Sequence, residues 1–340
     1  MMTQAFARRS AEMPSLQRVS YLKNAHSDSV WSVCWANVGG EVHLLSGSCD
    51  ETVKLWRLDK SGDGPDGGSL TGLSPSKEFT GEAVSVLGVV SVVASDTGLA
   101  ATSSLDSTVR VLDLGDNTPV AVMQLPPGEV WALHFAPGAD GARFLAVAGG
   151  CAAAAVVLDL QAQERCATYA LPGEVVEADA AGAFILSVAY SPDGRRLACG
   201  SMGGSVAVFD VATQQLQHTL PGLSKGVRSL AWSSSGALLA AACDDGHAHV
   251  YDASSGQLVS DLAGHSGAVL GVSLTPDGTA AVTGGGDGAV RLWDVRTGGC
   301  SQVLAGEHSQ AVWGVAVSPS GGLVATCSDD HSLALLNLTP

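Results

Sequence analysis

An all-β chain folded as a seven-bladed β-propeller is what this 340-residue sequence predicts. The first of three supporting observations is that GGGDGAVRLWD, residues 284–294, is echoed by GSCDETVKLWR (47–57), SSLDSTVRVLD (103–113) and ACDDGHAHVYD (242–252). The second is spacing. The position of the tryptophan in that segment recurs at Trp56, Leu112, Leu158, Phe209, Tyr251, Trp293 and Leu336, and the last three intervals are 42, 42 and 43 residues. A period of about 40–45 residues that divides into four strands marks a propeller blade. The third is composition. Gly is abundant, Val and Ala recur in short runs, Lys and Glu are sparse, and no long stretch keeps an i, i+3, i+4, i+7 apolar rhythm. Such a chain makes short strands and tight turns, not helices.

One unit shows the elements in order. VLGVSL (269–274) alternates as a first strand, and TPDG (275–278) is its turn. A second strand ends near Gly284, GGGDG turns the chain, AVRLWD is the third strand, and Gln302–Leu304 lies in the fourth. SPDG (191–194) and SPSG (318–321) are equivalent first turns. The final unit ends with LALLNLTP, after its third strand. VSYLKNAH (19–26) matches SDLAGH (260–265), a fourth strand leading to a histidine. The N-terminal segment is therefore expected to pair onto the last blade and close the ring, which removes open sheet edges. Residues 17–340 read as one propeller, residues 1–16 as a disordered tail without the apolar core of a secretory signal. Segments 61–76 and 172–182 read as inserted loops, the former from its Gly, Ser and Pro content.

Histidine, hydroxyl and aspartate recur in register with the blades. The sets are His265, Thr283, Asp287 and Trp293; His26, Ser46, Asp50 and Trp56; and His308, Thr326 and Asp330, with Leu336 in place of Trp. Thr102 and Asp106 remain in the second unit and Asp245 in the fifth, whereas Ala152 and Gly203 replace the aspartate in the third and fourth. These are the residue types of a hydrolase triad, but a triad needs one accessible nucleophile beside an oxyanion hole. Copies at buried strand and turn positions read instead as structural hydrogen-bond chains. GxSxG, Walker, HExxH and EF-hand patterns are absent, so neither an enzyme nor a cofactor is expected. His247 and His249 alternate on one strand and are read as facing solvent or a neighbouring blade, not as metal ligands.

The eight cysteines form no CxxC pair and suit reduced thiols in the cytosol or nucleus. No apolar run reaches the ~18 residues of a membrane span. A formal charge of −16 repels phosphate backbones and anionic headgroups. Direct nucleic-acid or membrane binding is therefore not expected, and a protein partner with basic segments is.

One position per unit is expected near the central opening on one face: Trp31, Val90, Trp131, Leu186, Arg228, Leu270 and Trp313. Three of the chain's seven tryptophans stand there. An apolar ring with Trp and Arg on a soluble surface suggests a partner site. Phe184 and Ser29 are expected to flank it, with Cys49, Leu105, Met202, Asp244 and Asp329 on the same face.

With these residues in view, the chain resembles the WD-repeat subunit family of the superkiller complex, a family also associated with the polymerase-associated factor complex. The resemblance is carried by HSDSVWSVCW (26–35), LGVVSVV (87–93), EVWALHF (129–135), FILSVAYSPDG (184–194), GVRSLAW (226–232) and AVWGVAV (311–317), and above all by the series Trp31, Trp131, Phe184, Arg228, Trp313. It implies a non-catalytic scaffold in cytoplasm and nucleus. The implied partners are a tetratricopeptide-repeat scaffold, the RNA helicase of 3′-to-5′ mRNA decay, and polymerase-associated factor subunits acting in transcription elongation and histone modification. The chain departs from the pattern in its 61–76 segment, in lacking Gly-His before units two to five, and in Leu112, Leu158 and Leu336. Competing expectations are a ubiquitin-ligase substrate receptor, a signalling subunit like a G-protein β chain, and a propeller enzyme.

Overall fold

Runs of Val, Ala and Leu broken by Gly- and Asp-containing turns fold into antiparallel strands. The structure is a computed structural model that describes residues 14–61, 69–81, 84–85, 87–126, 128, 130–138, 141–149, 154–171 and 184–339. Among these residues the strands form seven four-stranded sheets. Blade 1 holds β2 (Val30–Val38), β3 (Glu41–Ser48), β4 (Val53–Ser61) and β5 (Ser69–Phe79). Blade 2 holds β6 (Val89–Ala94), β7 (Leu99–Ser104), β8 (Thr108–Asp113) and β9 (Pro119–Gln124). Blade 3 comprises β10 (Val130–Phe135), β11 (Phe144–Gly149), β12 (Ala154–Asp159) and β13 (Glu164–Ala170). Blade 4 comprises β14 (Ile185–Tyr190), β15 (Arg196–Ser201), β16 (Val206–Asp210) and β17 (Leu216–Leu220). Blade 5 follows with β18 (Val227–Trp232), β19 (Leu238–Cys243), β20 (His247–Asp252) and β21 (Leu258–Ala263). Blade 6 has β22 (Val269–Leu274), β23 (Ala280–Gly285), β24 (Val290–Asp294) and β25 (Cys300–Leu304). Blade 7 joins β26 (Val312–Val317), β27 (Leu323–Ser328) and β28 (Leu333–Thr339) to β1 (Ser15–Leu22). The expected seven-bladed all-β propeller is the observed fold.

Burial is greatest in the middle strands of the blades and falls toward the fourth. Every residue of β23 is buried, whereas β21 alternates exposed and buried side chains at its outer end. A strand covered on both faces by neighbouring blades reads as a continuous apolar run, and an outer strand with one wet face alternates. The blades interlock through small groups. Ala240, Ala242, Val250, Val269, Val272 and Trp293 share one cluster between blades 5 and 6. A Cβ at Gly271 would lie 2.9 Å from the Trp313 carbonyl oxygen, so only glycine lets β22 approach β26 this closely. Serine hydroxyls cross three of the seams, between blades 2 and 3, 4 and 5, and 6 and 7: Ser103 Oγ donates to Val130 O at 3.0 Å, Ser187 Oγ to Val227 O at 2.9 Å, and Val317 N donates to Ser273 Oγ at 3.1 Å. Trp35 and Trp232 add indole N–H donors to Ala316 O and Ala189 O of the adjoining blades, both at 3.0 Å.

The ring closes where β1 pairs antiparallel with β28, from Ser15↔Thr339 to Leu22↔Leu333. Gln302 of blade 6 clasps that junction. Leu16 N donates to Gln302 Oε1 at 2.7 Å, and Gln302 Nε2 donates to Leu16 O at 2.9 Å. β1 begins at Ser15, inside the segment expected to be a tail, and residues 1–13 lie outside the described residues. The expected loop 61–76 is corrected as well. Residues 69–76 belong to β5, paired with β4 out to Ser61↔Ser69. Leu70 and Leu73 pack with Val19, Leu22 and Leu58, so an apolar face on β1 draws this Gly- and Ser-rich segment into the sheet. The 172–182 segment lies outside the described residues.

Gln302→Ala removes both clasp bonds and is expected to cost about 1–3 kcal/mol. Urea denaturation of wild type and variant measures it, and an unchanged midpoint would show that closure does not use the clasp.

Candidate functional site

The first strand of each blade contains one irregularity. The register with the second strand slips between Val30 and Ser32, Val89 and Ser91, Val130 and Ala132, Ile185 and Ser187, Val227 and Ser229, Val269 and Gly271, and Val312 and Gly314. The residue skipped is Trp31, Val90, Trp131, Leu186, Arg228, Leu270 or Trp313. The position singled out in the sequence is thus a β-bulge in all seven blades. A bulge re-aims its side chain out of the pleat and bends the strand. A second repeated contact fixes the face. The backbone N–H of Cys49, Leu105, Met202, Asp244, Gly286 and Asp329 donates to the carbonyl of Ser29, Gly88, Phe184, Gly226, Ala268 and Ala311 respectively. Each acceptor lies two residues before a bulge. The turns between second and third strands are therefore tied beside the bulged residues around one face.

The side chains there are unequal. Trp31, Trp131, Arg228 and Trp313 are partly exposed, and Phe184 and Met202 are 37% and 47% exposed. Val90, Leu186 and Leu270 are corrected from the expected surface ring: they are only 6%, 4% and 9% exposed. These shorter side chains lie within the packing beneath the face. Trp31 and Trp313 sit together with ring centroids 5.9 Å apart, and Trp31 Nε1 donates to Asp329 Oδ1 at 3.2 Å. The indole Nε1 of Trp313 is buried without a hydrogen-bond partner among the described residues. On blade 5, Arg228 Nε donates to both Asp244 oxygens at 2.8 and 3.0 Å. Burial, then the nearby charges of Asp28, Asp329 and Asp50, push the Cys49 thiol up to about 12, so it stays protonated. The face presents aromatic surface beside held carboxylates, a chemistry suited to docking a peptide segment.

The His–hydroxyl–Asp sets lie in the blades, away from any surface nucleophile. In blade 6, Asp287 Oδ1 meets His265 Nδ1 at 2.8 Å, His265 Nε2 meets Thr283 Oγ1 at 2.8 Å, and Trp293 Nε1 donates to that hydroxyl at 2.8 Å. Blade 1 repeats the chain through Asp50, His26, Ser46 and Trp56 at 3.0, 2.7 and 2.8 Å. Ser46, Thr283 and Thr326 are fully buried, so none can meet a substrate. Blade 7 differs. Ser332 stands between His308 Nδ1, at 2.8 Å, and Asp330, while His308 Nε2 reaches Thr326 Oγ1 at 2.8 Å. Blades 2 and 5 do not assemble the chain. Thr102 Oγ1 donates to Val84 O at 3.0 Å, and Asp106 holds Arg110 at 2.7 Å. Asp245 accepts the backbone N–H of His247 at 3.0 Å. Gly203 contributes no side chain, and Ala152 lies outside the described residues.

The comparisons with known proteins agree with this architecture. The family described as WD domain, G-beta repeat matches residues 17–57, 175–210, 256–294 and 298–335. The anaphase-promoting complex subunit 4 WD40 domain matches residues 220–270. The chain carries WD repeats, and the structure builds them as blades of a seven-bladed β-propeller. It is 40% identical over 215 residues to WD repeat-containing protein VIP3 of Arabidopsis thaliana, a match covering 61% of each chain. It is 30% identical over 210 residues to WD repeat-containing protein SL1-17 of Schistosoma mansoni, again 61% of each. The matched part thus spans about three fifths of the length of these relatives.

Two predictions concern the buried sets. Asp287→Ala leaves His265 Nδ1 and the Ser266 N–H without their acceptor, and is expected to cost about 1–3 kcal/mol. A circular-dichroism melt with an unchanged midpoint would refute this. The second concerns pH. Burial pushes His265 and His308 below their ordinary range, although Asp287 and Asp330 pull the other way. An unfolded histidine titrates near ~6.5. Below that pH the unfolded chain binds protons the folded chain refuses, so stability falls as pH drops from about 7 to 5 and is level above. Asp287 and Asp330 add a further loss in stronger acid. Burial raises both carboxyls, but hydrogen bonds from His265 and Ser266 to Asp287, and from Ser332 and Ser309 to Asp330, outweigh it and leave both low, Asp330 at about 2. Urea midpoints across this range check the slope, and a midpoint that rises on acidification would contradict it.

Proposed function

We propose that this protein is a non-catalytic scaffold whose bulged face docks segments of larger partners, and that it serves as the WD-repeat subunit of the superkiller complex. The observation that carries the scaffold reading is the ring of seven β-bulges, which brings Trp31, Trp131, Arg228 and Trp313 to one face. Tryptophan and arginine are the side chains most enriched at binding hot spots. The identity of the complex is supported by the resemblance carried by those same positions. The partners on this reading are a tetratricopeptide-repeat scaffold and an RNA helicase in the cytoplasm, with polymerase-associated factor subunits in the nucleus. A negative net charge favours basic segments as the docked ligands.

The test is an affinity pull-down from native extract, read by mass spectrometry, with wild type beside the Trp31→Ala/Trp313→Ala double variant. Circular dichroism first establishes that the variant is folded. Wild type is expected to recover a tetratricopeptide scaffold and a helicase, and the variant to lose both. Recovery of the same partners by both proteins would move the interface off this face. Ubiquitin-ligase components or G-protein γ-like chains in their place would overturn the assigned complex.

A further inference from the structure

Blade 5 carries a cluster that the interaction face does not use. His247 and His249 stand two apart on β20, so both point to the same side of the sheet. Asp261 on β21 is the direct cross-strand partner of His249. Its side chain shares that side, as the contacts show. His247 Nδ1 lies 2.8 Å from Asp261 Oδ1, and His249 Nε2 lies 3.8 Å from the same oxygen. One ligand atom from each of the three residues falls within 4.8 Å of the others.

The three groups differ in a useful way. The His249 side chain is only 8% exposed, and its Nδ1 has no hydrogen-bond partner among the described residues. It is stacked on the Tyr251 ring, with centroids 6.1 Å apart and planes 18° from parallel. Tyr251 is itself pinned, donating its hydroxyl to Pro221 O at 2.7 Å. The imidazole is thus held by packing and not by hydrogen bonds, and its Nε2 faces Asp261. His247 and Asp261 are 40% and 43% exposed at their side chains, which leaves room for water on the open side.

We propose that His247, His249 and Asp261 form a binding site for a divalent first-row transition metal ion, with zinc as its natural occupant. Two imidazoles and one carboxylate are a three-ligand protein set for zinc, with water completing a tetrahedron. Bond lengths of about 2.0–2.2 Å require the three atoms to close to roughly 3.3 Å of one another. The distances already lie within side-chain adjustment of that geometry. The ligand set also discriminates. Imidazole suits zinc, copper and nickel, whereas magnesium and calcium require oxygen donors. The ion ties the outermost strand β21 to β20. Blade 5 is one of those without the His–hydroxyl–Trp chain, so this link supplies a polar cross-strand tie of a different kind. The proposal is independent of the partner face.

The test uses the full chain stripped with EDTA and freed of chelator. Zinc chloride is titrated into it by isothermal titration calorimetry, beside His247→Gln and Asp261→Asn. Both substituted side chains are substantially exposed, and thermal melts establish that the variants fold. Wild type is expected to bind one equivalent of zinc, and each variant, which loses a direct ligand, to bind more than about 100-fold more weakly, beyond the loss typical of an outer-shell partner. Magnesium chloride is expected to give no binding. Absence of zinc binding by wild type would overturn the site. So would equal affinity in wild type and both variants, which would place the ion elsewhere on this acidic surface.

Discussion

A four-stranded blade has two faces and cannot cover either one itself, so every blade here depends on its neighbours. That dependence makes the pairing of β1 with β28 the contact on which the rest relies. Without it blade 7 would have three strands and an open edge, and the seam between blades 6 and 7 would lose the Leu16 side of its cluster, which includes Val290, Val312 and Leu336. The most distant parts of the chain are thereby forced together, with sequence separations above 280 residues at the Gln302 clasp. Contacts of such range close late in folding, because the loop entropy comes before the reward.

Polar groups inside the blades follow from the same packing. Wherever a tryptophan stands at the third-strand position, its indole N–H needs a buried acceptor, and a hydroxyl is supplied: Ser46 for Trp56, Thr283 for Trp293. Blade 5 has Ala241 where that hydroxyl would be, and there the aromatic is Tyr251, whose donor points outward to Pro221 O instead. Leu112 of blade 2 has no donor to satisfy, and Thr102 turns to a backbone carbonyl. The residue two after the aspartate sets the link to histidine. Ala289 leaves a direct contact, Thr52 shares it, and Ser332 inserts between the two groups. Each blade solves one hydrogen-bond accounting problem with the side chains it has.

These particulars explain what could be read from the sequence. The period, the ring closure and the buried sets of blades 1 and 6 were legible because they rest on local spacing within a repeat. The bulges were not. A bulged residue can be Trp, Val, Leu or Arg, and only pairing with the second strand reveals the extra residue. Hence the seven positions could be found by register, while the burial of Val90, Leu186 and Leu270 could not. The extent of β5 was hidden by its Gly and Ser content, since Leu70 and Leu73 gain their meaning only against β1. Asp261 was hidden for a similar reason: its place opposite His249 depends on the turn between β20 and β21, which a search along one strand does not include.

The bulges also separate stability from recognition. The residue before each bulge is fully or almost fully buried, from Val30 and Val89 to Val269 and Val312, and anchors the strand in the seams between blades. The bulged residue itself is released from the alternation that would otherwise send it to one of those seams. Its identity is therefore constrained by reach and not by the pleat. Short aliphatic side chains at 90, 186 and 270 settle into packing, while Trp and Arg are too long to do so and reach the face. Trp313 shows the consequence: its ring packs against Trp31, yet its buried Nε1 has no acceptor among the described residues. A buried donor without an acceptor at the edge of an aromatic pair is a cost that the fold carries at this position. The same irregularity that leaves the seams between blades undisturbed thus sets the long side chains of Trp31, Trp131, Arg228 and Trp313 on one face.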